Sequence, residues 1–223
     1  MTQTSNPKEA QGWDAIKGAH GLDGNIDQLQ TYYDDWAEAY DSDVSSEAYA
    51  GPRTISEFYD RIRQAHDPNT SRANSKVLDA GCGTGLIGPI LKDMGYKHID
   101  GFDLSDQMIE VAKKTNSYEE LLGSIDMNVK IEQYEDNEYD ASLACGVFTL
   151  GHVPPESLNE MIRFTRPGGL IVVSTRKSYY NSTNFQEVVD QLQADGKVKL
   201  LEHWKDAPYI TEEGAHYWAL QVC

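Results

Sequence analysis

Four glycines at positions 81, 83, 85 and 88, set between a short apolar run and a helical stretch, constrain this chain more than any other feature. The run Val77-Leu78-Asp79-Ala80 reads as a buried strand, and residues 86–94 as a helix ended near Gly95. A glycine turn at such a junction lets the backbone approach a ligand closely, because no Cβ intervenes. The helix N-terminus adds unpaired N–H groups that suit a carboxylate or a phosphate. Strand, glycine turn and helix together belong to an open α/β sheet, in which ligands bind beyond the carboxyl ends of the strands.

The rest of the chain extends this rhythm. Strands are expected over 98–103, 120–123, 139–145 and 169–175, with helices between them, the first capped by Ser105. Two further strand-like pieces, 198–204 and 216–222, have no helix between them and predict a hairpin at the sheet edge. The fold class expected is therefore α/β, a doubly wound, Rossmann-like sheet of seven strands with the last one antiparallel. Upstream, Leu29, Tyr32, Tyr33, Trp36 and Tyr40 recur at three- and four-residue steps, an aromatic stripe on a helix. A second helix is expected over 51–65, and residues 1–25 read as loose. The boundary drawn is 1–70 for a flexible segment plus helical cap, and 71–223 for the main domain, the two making one structural unit.

Charge and cysteine content exclude some functions. The formal net charge of −17, with no cluster of lysine and arginine, disfavours a nucleic-acid partner. No apolar run approaches the roughly 20 residues of a membrane span, and the start lacks a signal pattern, so the expected location is cytoplasmic. Three widely spaced cysteines, Cys82, Cys145 and Cys223, suggest neither a disulfide framework nor a metal site.

The glycine loop alone fits two cofactors. Residues 83–88 spell the dinucleotide pattern GxGxxG, and Asp103 stands where that pattern expects an acid. Against a dinucleotide, Asp79 would face a pyrophosphate unfavourably, whereas it suits the ammonium group of a methionine moiety. Asp103, ending the next strand, can accept both ribose hydroxyls, with Leu104 and Met108 flanking an adenine. These features favour S-adenosylmethionine over NAD.

The segments Val-Leu-Asp-Ala-Gly-Cys-Gly-Thr-Gly (77–85), Gly-Phe-Asp-Leu-Ser-Asp-Gln-Met (101–108), Tyr-Asp-Ala-Ser-Leu-Ala-Cys-Gly (139–146) and Arg-Pro-Gly-Gly-Leu-Ile-Val-Val-Ser-Thr-Arg (166–176) resemble, in order, the motifs of class I S-adenosylmethionine-dependent methyltransferases. They cover about half of the chain. The segments Ala19-His20-Gly21-Leu22 and 32–44 add a resemblance to the methyltransferase-like subfamily of the Williams-Beuren region, whose substrate is poorly defined. The resemblance implies that Gly81, Gly83 and Gly85 shape the loop beneath the methionine part, with Asp79 and Ala80 beside it, and that Asp103 holds the ribose. It implies Asp126 and Met127 beside the adenine, the backbone at Cys145 and Gly146 along the methionine, and Tyr33, Trp36 and Tyr40 closing the site.

On the acceptor side the residues leave alternatives open. His152 follows the fourth strand and is the candidate general base, or else a loop residue. Arg176 could pair with an anionic substrate or with a neighbouring acid. Tyr179 and Tyr180 could line the substrate mouth or pack on the final hairpin. The reaction expected is displacement of a methyl group onto a small-molecule nucleophile (O, N or S) by a monomer or homodimer with no metal. A donor-binding regulatory protein without turnover, and an NAD-dependent oxidoreductase, are the alternatives.

Overall fold

The computed structural model of the protein describes residues 13–22 and 25–223. Residues 1–12 and 23–24, within the stretch expected to be loose, lie outside the described residues. The remainder of that stretch corrects the expectation, because Trp13–His20 is a helix, α1. Its small residues Ala15 and Ala19 are buried, and the Tyr32 hydroxyl donates to the Ala15 carbonyl at 2.7 Å. So short a helix is marginal alone and is held by what it packs on. Here that is α2 (Ile26–Ser46), opened by Asn25, whose side chain accepts from the Gln28 amide.

The sheet has seven strands: β1 (Lys76–Ala80), β2 (His98–Phe102), β3 (Glu120–Leu122), β4 (Tyr139–Phe148), β5 (Thr165–Arg176), β6 (Val198–Ala207) and β7 (Ala215–Val222). Their order is β3-β2-β1-β4-β5-β7-β6. Only β7 runs antiparallel to its neighbours, as expected for the last strand. The expected hairpin forms, but β7 inserts between β5 and β6, so β6 is the edge. Apolar neighbours such as Val77 and Leu78, or Val172 and Val173, point to opposite faces and enter different cores. This is why the parallel strands read as unbroken apolar runs.

Two layers of helices cover the sheet. On one face lie α3 (Gly51–His66), through Ile55, Phe58, Tyr59 and Ile62, and α4 (Ile87–Asp93), through Ile87 and Leu91. On the other lie α6 (Leu158–Phe164), after a single 3-10 turn at Pro155–Ser157, and α8 (Phe185–Ala194). Thus α3, grouped with the cap by a boundary at residue 70, packs on the sheet itself. Between β2 and β3, α5 (Asp106–Lys113) is capped by the Ser105 hydroxyl, which accepts from the Met108 amide. A six-residue helix, α7 (Lys177–Ser182), follows β5 without a break.

The order reverses between β1 and β4, so their connections leave on opposite faces and a crevice opens at their carboxyl ends. A third cluster roofs that crevice. Ala15, Leu22, Leu29, Tyr32, Trp36 and Val44 of the N-terminal segment pack with Leu86 and Leu104 of the loops below. No helix among the described residues is long and apolar enough to cross a membrane.

Candidate active site

The glycine loop carries two distinct jobs. Gly81 and Gly83 adopt φ of +71° and +54°, which L side chains rarely adopt. A Cβ on Gly81 would stand 2.4 Å from Val147 Cγ2, so the loop is threaded tightly past β4, whereas one on Gly83 would meet nothing within 4 Å. Gly83 therefore presents bare backbone to the crevice. Gly85 and Gly88 face the other way. Cβ atoms there would strike Tyr118 and, for Gly85, Ala112 of α5.

Tyr118 resolves the ambiguity of the glycine pattern. Its hydroxyl accepts from the Gly88 amide at 3.0 Å and donates to Asp79 Oδ2 at 2.7 Å. The Gly88 amide near the start of α4 is thus already bonded, and the third glycine of GxGxxG makes room for a tyrosine ring. Asp79 is 1 % exposed. Its Oδ1 has no hydrogen-bond partner. Burial pushes its carboxyl up to about 7, opposed by the Tyr118 hydrogen bond and reinforced by Asp103. A buried, half-satisfied carboxylate next to a bare glycine loop fits a cationic group and repels a phosphate.

Asp103 sits 20 residues beyond Gly83 and ties two loops together. Its Oδ2 accepts from the Gly83 amide at 2.8 Å and its Oδ1 from the Ser105 amide at 2.9 Å. Each oxygen retains a lone pair for a further donor. Burial raises its pKa, against the pull of those backbone hydrogen bonds.

Three cavities in the crevice share lining residues. The main cleft, about 700 Å³, is lined by Tyr33, Tyr40, Gly81, Gly83, Asp103, Leu104, Met108, Asp126, Met127, Cys145, Gly146 and His152. A narrower space of about 320 Å³ runs over Asp79, Gly81, Gly83, Thr84 and Cys145 to Tyr40 and Tyr49. A chamber of about 390 Å³ lies under α2 between Tyr33, Trp36, Tyr40, Tyr49, Gly146, Thr149, Arg176 and Tyr209. Tyr40 lines all three.

The roof is fastened by two carboxylates of α2. The Thr84 hydroxyl of the glycine loop donates to Asp41 at 2.5 Å. The Ser105 hydroxyl donates to Asp34 at 2.5 Å, and the Gln107 amide reaches the same oxygen at 3.3 Å. A third tie joins Tyr33 to His152, with the hydroxyl 2.7 Å from Nε2. His152 Nδ1 lies 3.0 Å from the Leu150 carbonyl, which can only accept. Nδ1 therefore carries the proton and Nε2 accepts from Tyr33. Burial lowers the His152 pKa to about 4, so the ring is neutral at pH 7.

Residues 78–173 match the family model of a methyltransferase domain. The chain is 31% identical over 195 residues to methyltransferase-like protein 27 of Homo sapiens, covering 85% of this chain and 75% of that protein. It belongs to the class I S-adenosylmethionine-dependent methyltransferases. A malonyl-[acyl-carrier protein] O-methyltransferase of Halalkalibacterium halodurans is 31% identical over 142 residues, which are 61% of this chain and 51% of that one. Among solved structures, the magnesium protoporphyrin IX methyltransferase of Synechocystis PCC 6803 shares the fold with a TM-score of 0.62 at 13% identity, over 89% of this chain and 99% of that one.

In this methyltransferase the structure gathers most of the residues singled out from the sequence and sets a few apart. Trp36 lines the chamber rather than the main cleft. Its indole N–H donates to Asp43 at 2.8 Å, and its ring stacks on Tyr33 at 5.8 Å. Ala80 is fully buried in the core under the loop, and Gly85 faces α5. Tyr180 stacks on His216 at 4.2 Å, against the final hairpin, and Tyr179 is buried with its hydroxyl on the Val153 carbonyl. Neither tyrosine lines the chamber, but Tyr179 lines an open groove with His152, Val153 and Pro154. Tyr118, Asp34, Asp41, Thr84, Tyr49 and Tyr209 were not anticipated. Only the acids near the aromatic stripe carried a hint, since they interrupt it on the same helix.

These fastenings carry an expected result. In hydrogen exchange, amides of residues 26–46 should gain at least about tenfold protection when S-adenosylhomocysteine binds, since the roof shares its contacts with the ligand. Equal protection with and without the ligand would show a roof independent of the donor.

Proposed function

We propose that this methyltransferase moves a methyl group from S-adenosylmethionine to a small-molecule nucleophile seated in the chamber beneath α2. The observation carrying this reading is that Tyr40 lines all three cavities. Asp103 takes the ribose, with Leu104, Met108, Asp126 and Met127 around the adenine. Asp79 and the Gly81–Gly83 backbone receive the amino-acid end, and the chamber, which shares Tyr40, receives the acceptor. When bound, the donor supplies an electrophilic methyl group on a sulfonium, whose positive charge the faces of Tyr33 and Tyr40 favour. The chamber's size, its helical roof and the acidic net charge support a small acceptor over a macromolecule. The name of one relative, a demethylmenaquinone methyltransferase, is compatible with that.

The protein's own groups act mainly by holding the acceptor in line and excluding water. Tyr33 lines both the cleft and the chamber. An acceptor that sheds a proton as it is methylated is met by Tyr33 Oη, which His152 Nε2 holds in place by accepting its hydrogen. His152→Gln should then lower kcat by roughly 10- to 100-fold through misplacement of Tyr33, with a smaller change in donor affinity. Unchanged kcat would remove His152 from the mechanism.

The acceptor is tested by incubating the protein with methyl-labelled S-adenosylmethionine and a cell extract, then separating small molecules from macromolecules. Label in the small-molecule fraction is expected. Label confined to protein or nucleic acid would contradict the proposal.

A further inference from the structure

The chamber differs from the donor cleft in its chemistry. Five of its walls are aromatic: Tyr33, Trp36, Tyr40, Tyr49 and Tyr209. Tyr49 and Tyr209 meet edge to face at 5.1 Å, with their hydroxyls 3.3 Å apart, and both hydroxyls press on Gly146, where a Cβ would stand 3.1 and 3.2 Å from them. Tyr49 also reaches Cys145 Sγ at 3.3 Å. These contacts fix a chamber walled by tyrosine rings, with the planes of Tyr49 and Tyr209 77° apart.

Arg176 is the single formally charged side chain among the described residues lining this slot. It is 3 % exposed, in a chain whose net charge is −17. Its position is built. Glu213 accepts from Arg176 Nε at 2.7 Å, and Glu213 is itself held by the Ser178 amide and hydroxyl, each at 2.9 Å. The guanidinium carbon lies 5.7 Å from the centre of the Tyr209 ring. Glu213 does not line the chamber; it anchors the guanidinium from behind. A guanidinium beside aromatic walls suits a carboxylate, with which it makes charge-assisted hydrogen bonds.

We infer that the acceptor is a small planar carboxylic acid whose acid group docks at Arg176 and whose flat body lies against Tyr40, Tyr49 and Tyr209. This rests on the proposed function, since it names the acceptor class for the same chamber. It also assigns Arg176 and Tyr209 as specificity residues. A neutral planar acceptor would fill the slot but forgo the charge-assisted bonds, which are about twice as strong as neutral ones.

The test uses the full chain saturated with S-adenosylhomocysteine, titrated with cinnamate and, separately, with cinnamamide, its neutral counterpart, by ligand-observed NMR. Cinnamate is expected to bind at least about tenfold more tightly. Arg176→Met should abolish that preference while leaving S-adenosylhomocysteine affinity unchanged. Because Arg176→Met strands Glu213, the double variant Arg176→Met/Glu213→Gln provides the same comparison in a charge-neutral background. Equal binding of acid and amide, or a preference that survives in the variants, would overturn the inference while leaving the methyl-donor reading intact. Failure of S-adenosylhomocysteine to bind at all would overturn that reading and this inference with it.

Discussion

Asp79→Asn is expected to raise the melting temperature of the donor-free protein at pH 8 and to abolish the further rise that S-adenosylhomocysteine produces in the wild type. The two effects share one cause. Burial lifts the Asp79 carboxyl from 3.8 to about 7. A folded-state pKa above the unfolded one means that the native protein binds this proton more tightly. The stability cost is therefore absent below about pH 4, grows between 4 and 7, and is complete above 7. Three pKa units correspond to about 4 kcal/mol. Asparagine keeps an oxygen for the Tyr118 hydroxyl but sets an amide where Oδ1 lacks a partner, which returns roughly 1–3 kcal/mol. The net gain is about 1–3 kcal/mol, or roughly 3–10 °C for a chain of this size. The same ionisation governs the ligand: donor affinity in the wild type should climb about tenfold per pH unit up to about 7 and level off above it. Melting curves at pH 5 and pH 8, with and without ligand, check both. A variant less stable than the wild type at pH 8 would show that Asp79 is satisfied in a way this geometry does not contain.

Asp103→Ala carries the second large effect, a loss of at least about 100-fold in S-adenosylhomocysteine affinity with the fold retained. The carboxylate does two things at once. It holds the Gly83 and Ser105 amides at 2.8 and 2.9 Å, and it offers its remaining lone pairs to the ribose hydroxyls. Hydrogen bonds to a charged acceptor contribute roughly 1.5–3 kcal/mol each, so losing two accounts for the expected factor. The glycine loop would also lose the anchor that keeps Gly83 facing the cleft. Isothermal titration measures the affinity and circular dichroism the fold. A change of less than about tenfold would move the ribose elsewhere.

The donor half of the site was legible because its chemistry is local. Asp79, Gly81 and Gly83 lie within five residues, and Asp103 ends the next strand, so strand order alone brings them together. The aromatic stripe also survived, since Tyr33 and Tyr40 reach the cleft at helical spacing. What escaped depends on distant pairings. Tyr118, which explains Gly88 and fixes Asp79, lies in a loop with no periodic signal. The slot tyrosines 49 and 209 meet across 160 residues. Helix α1 is too short and too weakly patterned to stand out, and only its packing on Tyr32 forms it. The orientation of Tyr179 and Tyr180 was open because α7 spans only six residues, and a one-residue change in its start would exchange the faces they occupy.

The cleft between Asp79, the glycine loop and Asp103 is built for a methyl donor rather than a dinucleotide. Parallel calorimetric titrations of the wild-type protein with S-adenosylhomocysteine and with NAD test this most directly. The expected result is saturable one-to-one binding of S-adenosylhomocysteine, lost in Asp103→Ala, and no heat with NAD. Saturable NAD binding with no response to S-adenosylhomocysteine would contradict it.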